Sequence, residues 1–195
     1  MVIPIGIPGM GKTHFAEGTL QSVFEGLGLD ARKNLHVIQN DQIRKQCLDK
    51  YLKAHPGKSK QEGVKATAAE SINLFKQRLN EKLLQLSKKK SNELQMIYLD
   101  KNYPPLEIKI TLDAINEHEA NQSAQIRRVA LVPDMAVESD LQDFPFSMNF
   151  LVQCYIRCLE REDHLTIQNE DPQRLLKLLV LFFQQFKGTK LDGGF

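Results

Sequence analysis

The chain starts with an apolar segment, Val2-Ile3-Pro4-Ile5, that runs directly into Gly6-Ile7-Pro8-Gly9-Met10-Gly11-Lys12-Thr13 and then into residues of helical periodicity. Glycines at this spacing let the backbone curl until successive N–H groups face one point, and a helix that begins there adds its positive end. The G-x-x-x-x-G-K-[ST] pattern therefore predicts a cradle for a polyphosphate, built from Gly6, Gly9, Met10, Gly11, Lys12, Thr13 and His14. Lys12 would reach the β- and γ-phosphates, and Thr13 would place its hydroxyl on a magnesium ion that bridges phosphate oxygens. Such a loop works only between a buried strand and a helix, so it commits the start of the chain to strand, loop, helix. It implies a nucleoside triphosphate, ATP or GTP, without naming a reaction.

Downstream, apolar runs alternate with helical patterns. His36-Val37-Ile38-Gln39 reads as a second strand, followed by a helix carrying Ile43, Cys47, Leu48, Tyr51 and Leu52, and His55 to Lys60 breaks that helix. One long amphipathic helix is expected from about 62 to 87, with Ile72, Phe75, Leu79, Leu83 and Leu86 as its stripe and Lys88-Lys89-Lys90 at its negative end. Met96 to Leu99 reads as a third strand and Arg128 to Val132 as a fourth, with a helix opened by Pro104-Pro105 between them and two more helices near 147–161 and 171–187. The expectation is a single α/β domain over residues 1–195, with a central parallel sheet of four to five strands and helices on both faces. This is the P-loop form of α/β architecture, in which ligands bind beyond the carboxyl ends of the strands.

Charge and cysteine content limit the partners. Lys and Arg total 26 against 24 Asp and Glu, so any nucleic-acid site must be a local patch rather than a property of the whole surface. Lys58, Lys60 and Lys65 could line such a path, but a solvated loop is the better account of them. Cys47, Cys154 and Cys158 are an odd set behind no signal-like start, which reads as reduced thiols in an intracellular protein, nuclear or cytoplasmic. Cys154 and Cys158 share a helix face, and core packing explains them because no further ligand completes a zinc set. No apolar run approaches the roughly 20 residues that span a bilayer, so no membrane partner is expected.

Phosphoryl transfer needs a carboxylate beside the acceptor hydroxyl and cations around the transferring group. Asp41 lies just past the second strand, and Arg44 shares its helical face, suited to hold a phosphate next to the acceptor. Asp100 ends the third strand, as an acid that holds magnesium or as a turn-forming residue. Arg127 and Arg128 precede the fourth strand, where P-loop kinases carry a lid, and either could serve as a transition-state cation or stand exposed on the sheet edge. His36, His55, His118 and His164 have no mutual spacing that suggests catalysis. Two further matches carry no site. Lys190-Leu191-Asp192-Gly193 fits K-x-D-G but only two residues follow it, and His164-Leu165-Thr166 is a lone H-x-T where that chemistry needs a pair.

Taken in order, Gly6–Thr13, Asp41-x-x-Arg44 and Asp100-Lys101-Asn102 resemble polynucleotide 5′-kinases, and more closely the kinase module of plant-type and fungal tRNA ligases. Leu99 to Pro105, Ala130-Leu131-Val132-Pro133-Asp134 and Pro145-Phe146-Ser147 extend the resemblance over almost the whole chain. It implies transfer of an NTP γ-phosphate to the 5′-hydroxyl of cleaved RNA in tRNA splicing or RNA repair. Lys12 and Asp41 would be catalytic, with Asp41 the general base; Arg44, Lys101 and Asn102 would contact RNA, and Thr13 and Asp100 would serve the magnesium. In such ligases the module lies between an adenylyltransferase and a cyclic phosphodiesterase, so a module excised from a larger chain is the expectation. The fungal modules favour GTP, but no guanine-reading residue maps here, and the donor stays ATP or GTP. A P-loop kinase for a small metabolite or nucleoside is one alternative. A nucleotide-dependent binding or switch protein is another, although the N-K-x-D segment of guanine switches is absent.

Overall fold

Short apolar segments with alternating side chains pair into one sheet. The computed structural model describes residues 1–89, 93–122, 125–133, 143–161 and 171–189. Strands β1 (Val2–Pro4), β2 (Leu35–Gln39), β3 (Met96–Asp100) and β4 (Val129–Leu131) form a four-stranded, wholly parallel sheet in the order β2-β3-β1-β4. Successive residues point to opposite faces. Ile3, Ile38, Ile97 and Leu99 therefore enter the larger core, whereas Val2, Leu35 and Tyr98 enter a smaller one. A helix over 12–26 closes the smaller core with Ala16, Leu20 and Phe24; it comprises α1 (Lys12–His14), a π-helical turn at Phe15–Leu20 and α2 (Gln21–Gly26). The larger core takes Ile43 and Cys47 from α4 (Asn40–Ala54), Leu151 and Cys154 from α8 (Met148–Leu159), and Leu175 and Leu179 from α9 (Pro172–Gln184). The α/β class, the parallel sheet and helices on both faces thus match the expectation. Among the described residues no helix is long and apolar enough to cross a membrane.

Several elements differ from the sequence reading. The stretch before β2, to which the sequence reading assigns no element, contains a short helix, α3 (Ala31–Asn34), started by Asp30, whose side chain accepts a 3.0 Å bond from the Arg32 amide. The helix expected over 62–87 is two helices, α5 (Lys60–Ala66) and α6 (Ala68–Ser87). They part at Thr67, whose hydroxyl donates to the Gly63 carbonyl at 2.9 Å, a back-bond that bends helices. The buried column of α6 is Ser71, Phe75, Leu79 and Leu83, spaced by one i, i+4 row, and Ile72 is left 44% exposed. Helix α7 (Pro105–Gln122) runs past His118 and links β3 to β4. Lys90, Asp134, the His164–Thr166 match and the Lys190–Gly193 match lie outside the described residues.

Strand order decides where a ligand can enter. With β1 between β3 and β4, the chain leaves β1 towards β2 on one side and later crosses back to β4 on the other. A crevice opens at the carboxyl end of β1, and the 6–13 loop emerges there. Gly9 fixes the depth of that loop. Its φ is +88°, and a Cβ added to it would stand 2.3 Å from the Cys154 carbonyl oxygen and 2.9 Å from Cys158 Sγ. Backbone cannot yield as a side-chain tip can, so the loop seats against α8 only because residue 9 lacks a side chain. Gly18, inside the π-helical turn, has open space where its Cβ would go. Gly9→Ala should cost about 1–3 kcal/mol or more in urea unfolding, from overpacking and a left-handed φ, whereas Gly18→Ala should leave stability unchanged or raise it by up to ~1 kcal/mol.

Candidate active site at the carboxyl ends of the strands

A cavity of about 300 Å³ lies in that crevice, walled by Pro8, Gly9, Gly11, Lys12 and Thr13 of the loop. Asn40, Asp41 and Arg44 enter it from the first turn of α4, and Asp100, Lys101 and Asn102 from the end of β3. The register explains the convergence. Gln39 pairs with Asp100 and Val2 with Tyr98, so residues 41, 100 and the loop beginning at Gly6 all pass the sheet edge together.

Lys12 is the most constrained charge in the site. It is 7% exposed, and its Nζ donates to the Ile7 carbonyl at 3.2 Å. Burial pulls its pKa down to about 8, against the opposing pull of nearby Asp100 and Asp41 and with a smaller push from Arg161. An ammonium held this way is short of negative charge. Next to it, the Thr13 hydroxyl donates to Asp100 Oδ2 at 2.6 Å, and the Tyr98 hydroxyl donates to the Lys12 carbonyl at 3.0 Å. Burial raises the Asp100 pKa, a shift opposed by the Thr13 bond and the Lys12 charge. Near Asp100, whose carboxyl feels the charge of Glu17, Gln39 Nε2 donates to Glu17 Oε1 at 3.0 Å.

Thr13 and Asp100 offer a hydroxyl and a carboxylate side by side, a hard-oxygen pair of the kind magnesium takes along with phosphate oxygens and waters. Among the described residues no three His, Cys, Asp or Glu side chains gather to hold a metal by themselves. The donor pair fits an ion only if its remaining ligands are supplied from outside this set.

The other expected site residues fall into three groups. Gly6 and Met10 shape the loop from behind, with the Met10 side chain lying over Gly6, and His14 stands exposed on a neighbouring groove shared with Phe15, Thr19 and Arg157. Lys101 reaches the cavity wall but is ion-paired with Glu107, and Asn102 Oδ1 is buried without a hydrogen-bond partner. Arg127 and Arg128 are not brought to the site. Val129 pairs with Val2 and its amide donates to the Met1 carbonyl, so both arginines sit at the amino end of the sheet, opposite the loop. Arg128 is ion-paired with Glu119 there. A residue just before a parallel strand cannot lie at that strand's carboxyl end, which removes both from the lid role.

Arg161 was not anticipated. It lines both the central cavity and the groove beside His14, and its charge acts on Lys12. A signal was available in its spacing, because Cys154, Cys158 and Arg161 recur at i, i+4 and i+7, although α8 itself ends at Leu159 and Arg161 stands just beyond it; the two cysteines back the loop at Gly9. Both thiols are free and buried, and burial holds Cys154 up at about 12 and raises Cys158, so they pack as neutral groups. Ile72, Phe182 and Gln185 complete the wall without any motif to mark them.

No known family model matches the chain, and no curated protein matches it.

The lowered Lys12 pKa fixes a sign. The unfolded chain holds this proton at the ordinary value of 10.5 and the folded protein at about 8, so stability rises with pH through that window. Below it the buried charge costs up to about 3 kcal/mol. Lys12→Met should therefore raise the melting temperature of the unliganded protein near pH 7 and flatten its stability between pH 8 and 10.5, as read from thermal unfolding across that range.

Proposed function

We propose that the chain is an RNA 5′-hydroxyl kinase with the P-loop NTPase fold, moving the γ-phosphate of ATP or GTP to the 5′-hydroxyl of cleaved RNA in tRNA splicing or RNA repair. The observation that carries this reading is the meeting of Lys12, Thr13, Asp41, Arg44 and Asp100 in one cavity. A phosphate cradle alone would serve any nucleotide enzyme. The carboxylate of Asp41 and the guanidinium of Arg44, one helical turn apart on the far wall, supply an acceptor side.

In this reading the 6–13 loop and Lys12 hold the donor phosphates, and the shortage of negative charge around Lys12 favours a polyanion. Asp41 takes the proton of the acceptor hydroxyl as its oxygen bonds to the γ-phosphorus, while the bond from that phosphorus to the bridging oxygen breaks and releases the diphosphate. Magnesium, held by Thr13 and Asp100, would neutralise charge on the phosphate oxygens. Arg161 takes the place given to Arg127 and Arg128 as the cation beside the transferring group, and Arg44 grips a phosphate of the acceptor. In a longer chain the module would work beside ligase and phosphodiesterase domains. A nucleoside or small-metabolite kinase is the second reading, favoured by the size of the cavity and its apolar wall at Ile72 and Phe182.

Incubation with γ-labelled ATP or GTP, magnesium and a 5′-hydroxyl oligoribonucleotide, with free nucleoside in parallel, separates these. Label on RNA supports the proposal; label on nucleoside alone moves it to the second reading. Asp41→Asn should lower transfer by about 10²–10⁴-fold with nucleotide binding intact. Arg44→Ala should raise KM for RNA more than for a nucleoside, and Arg161→Ala should lower kcat by at least about 10²-fold.

A further inference from the structure

Lys101 stands between two residues that face the cavity, yet its own charge is turned to a different task. Its side chain is only 13% exposed and is ion-paired with Glu107 of α7. Its Nζ lies 5.1 Å from the centre of the Phe75 ring and 5.3 Å from that of Tyr103. Both rings are buried, 6.5 Å apart and edge to face. An ammonium placed this way is already satisfied by two π-faces and a carboxylate. Withdrawing it to meet a ligand would break all three contacts at once.

The backbone beside it makes a sharp corner. The Lys101 amide donates to the Leu99 carbonyl at 2.9 Å, closing a three-residue turn with Asp100 at its centre. That turn aims the Asp100 carboxylate at Thr13, 2.6 Å away. A γ-turn has little stiffness of its own. What fixes its exit is the Lys101 side chain, clasped by Phe75 from α6, Tyr103 just downstream and Glu107 at the start of α7.

We infer that Lys101 is a positioning residue that holds the Asp100 turn in register with Thr13, not a contact for the acceptor RNA. The inference rests on the proposed phosphotransfer role, because it gives Asp100 a task whose geometry matters. Outer groups that orient a metal-binding carboxylate set affinity for the ion without touching it. The consequence is a specific pattern: loss of Lys101 should weaken the magnesium-dependent part of nucleotide binding and slow transfer, leaving the affinity for RNA as it was.

The test compares wild type, Lys101→Met, Lys101→Arg and Phe75→Leu in two assays, with melting temperature as a check on folding. The first measures binding of a fluorescent ATP or GTP analogue with and without magnesium; the second measures steady-state transfer to a 5′-hydroxyl oligoribonucleotide at several salt concentrations. Lys101→Met should reduce the magnesium enhancement of nucleotide affinity, and kcat, by about 10–100-fold. Its KM for RNA and the salt dependence of that KM should stay within about twofold of wild type, since no phosphate contact is lost. Arg keeps both the cation over the rings and the ion pair, so Lys101→Arg should recover most of the loss. Phe75→Leu should act in the same direction and add little to Lys101→Met in the double variant. A raised, salt-sensitive KM for RNA with unchanged magnesium dependence would overturn the inference in favour of direct RNA contact. Wild type that shows magnesium-enhanced nucleotide binding but labels no RNA sinks the kinase reading alone, and the binding assay still judges Lys101. Labelled RNA with Lys101→Met equal to wild type in both assays sinks the Lys101 role alone.

Discussion

The carboxyl end of the sheet is organised by how closely the glycine-rich loop approaches helix α8. Gly9 stands where any side chain would strike the carbonyl of Cys154, and this contact presses the loop into the larger core instead of letting it float over the crevice. Because the loop is seated, Lys12 is buried, and because Lys12 is buried its charge is costly until an anion arrives. The cysteines behind the loop are apt for that support. A thiol held neutral by its surroundings is small and apolar, so it fills the space without adding a charge next to an already strained ammonium.

Around this seat the site balances opposite charges without cancelling them. Asp100 and Asp41 draw the Lys12 proton on while burial and Arg161 work against it. Asp100 itself is pushed towards protonation by burial and held back by Thr13 and Lys12. Neither partner is fully compensated, which is the condition in which a cation and a polyanion would bind together more readily than either alone. Tyr98 anchors the same region from the other face, its ring in the smaller core and its hydroxyl on the carbonyl of Lys12.

Much of this was legible because strand ends act as fixed addresses. Gly6, Asp41 and Asp100 each follow an apolar run by one to three residues, and in a parallel sheet such positions must meet at one edge. Arg127 and Arg128 precede a strand, so the same rule puts them at the opposite edge, where the pairing of Val129 with Val2 has them. Ile72 and Phe182 were hidden for a different reason. Which turn of a helix faces a site depends on how that helix packs against elements far away in sequence, and a shift of one residue decides it. Ile72 lies next to the buried Ser71–Phe75 row and so faces outward into the cavity wall, although periodicity alone assigns it to the core. The break at Thr67 was equally hidden, since the apolar pattern runs on either side of it and only a hydroxyl back-bond interrupts the helix.

The division of the sheet into two cores has a consequence for how the molecule moves. The loop's own helix, 12–26, packs over the smaller core, whereas α4, α8 and α9 pack over the larger one. Regions with fewer buried apolar contacts open at lower free energy, and the smaller core is the thinner of the two. Lys12 and Thr13 belong to the thin layer, while Arg44 and Asp100 are fixed by the thick layer and the strands. A ligand gripped by all four would bridge the two, so the cavity is also the seam across which binding would tie the thinner layer to the thicker one.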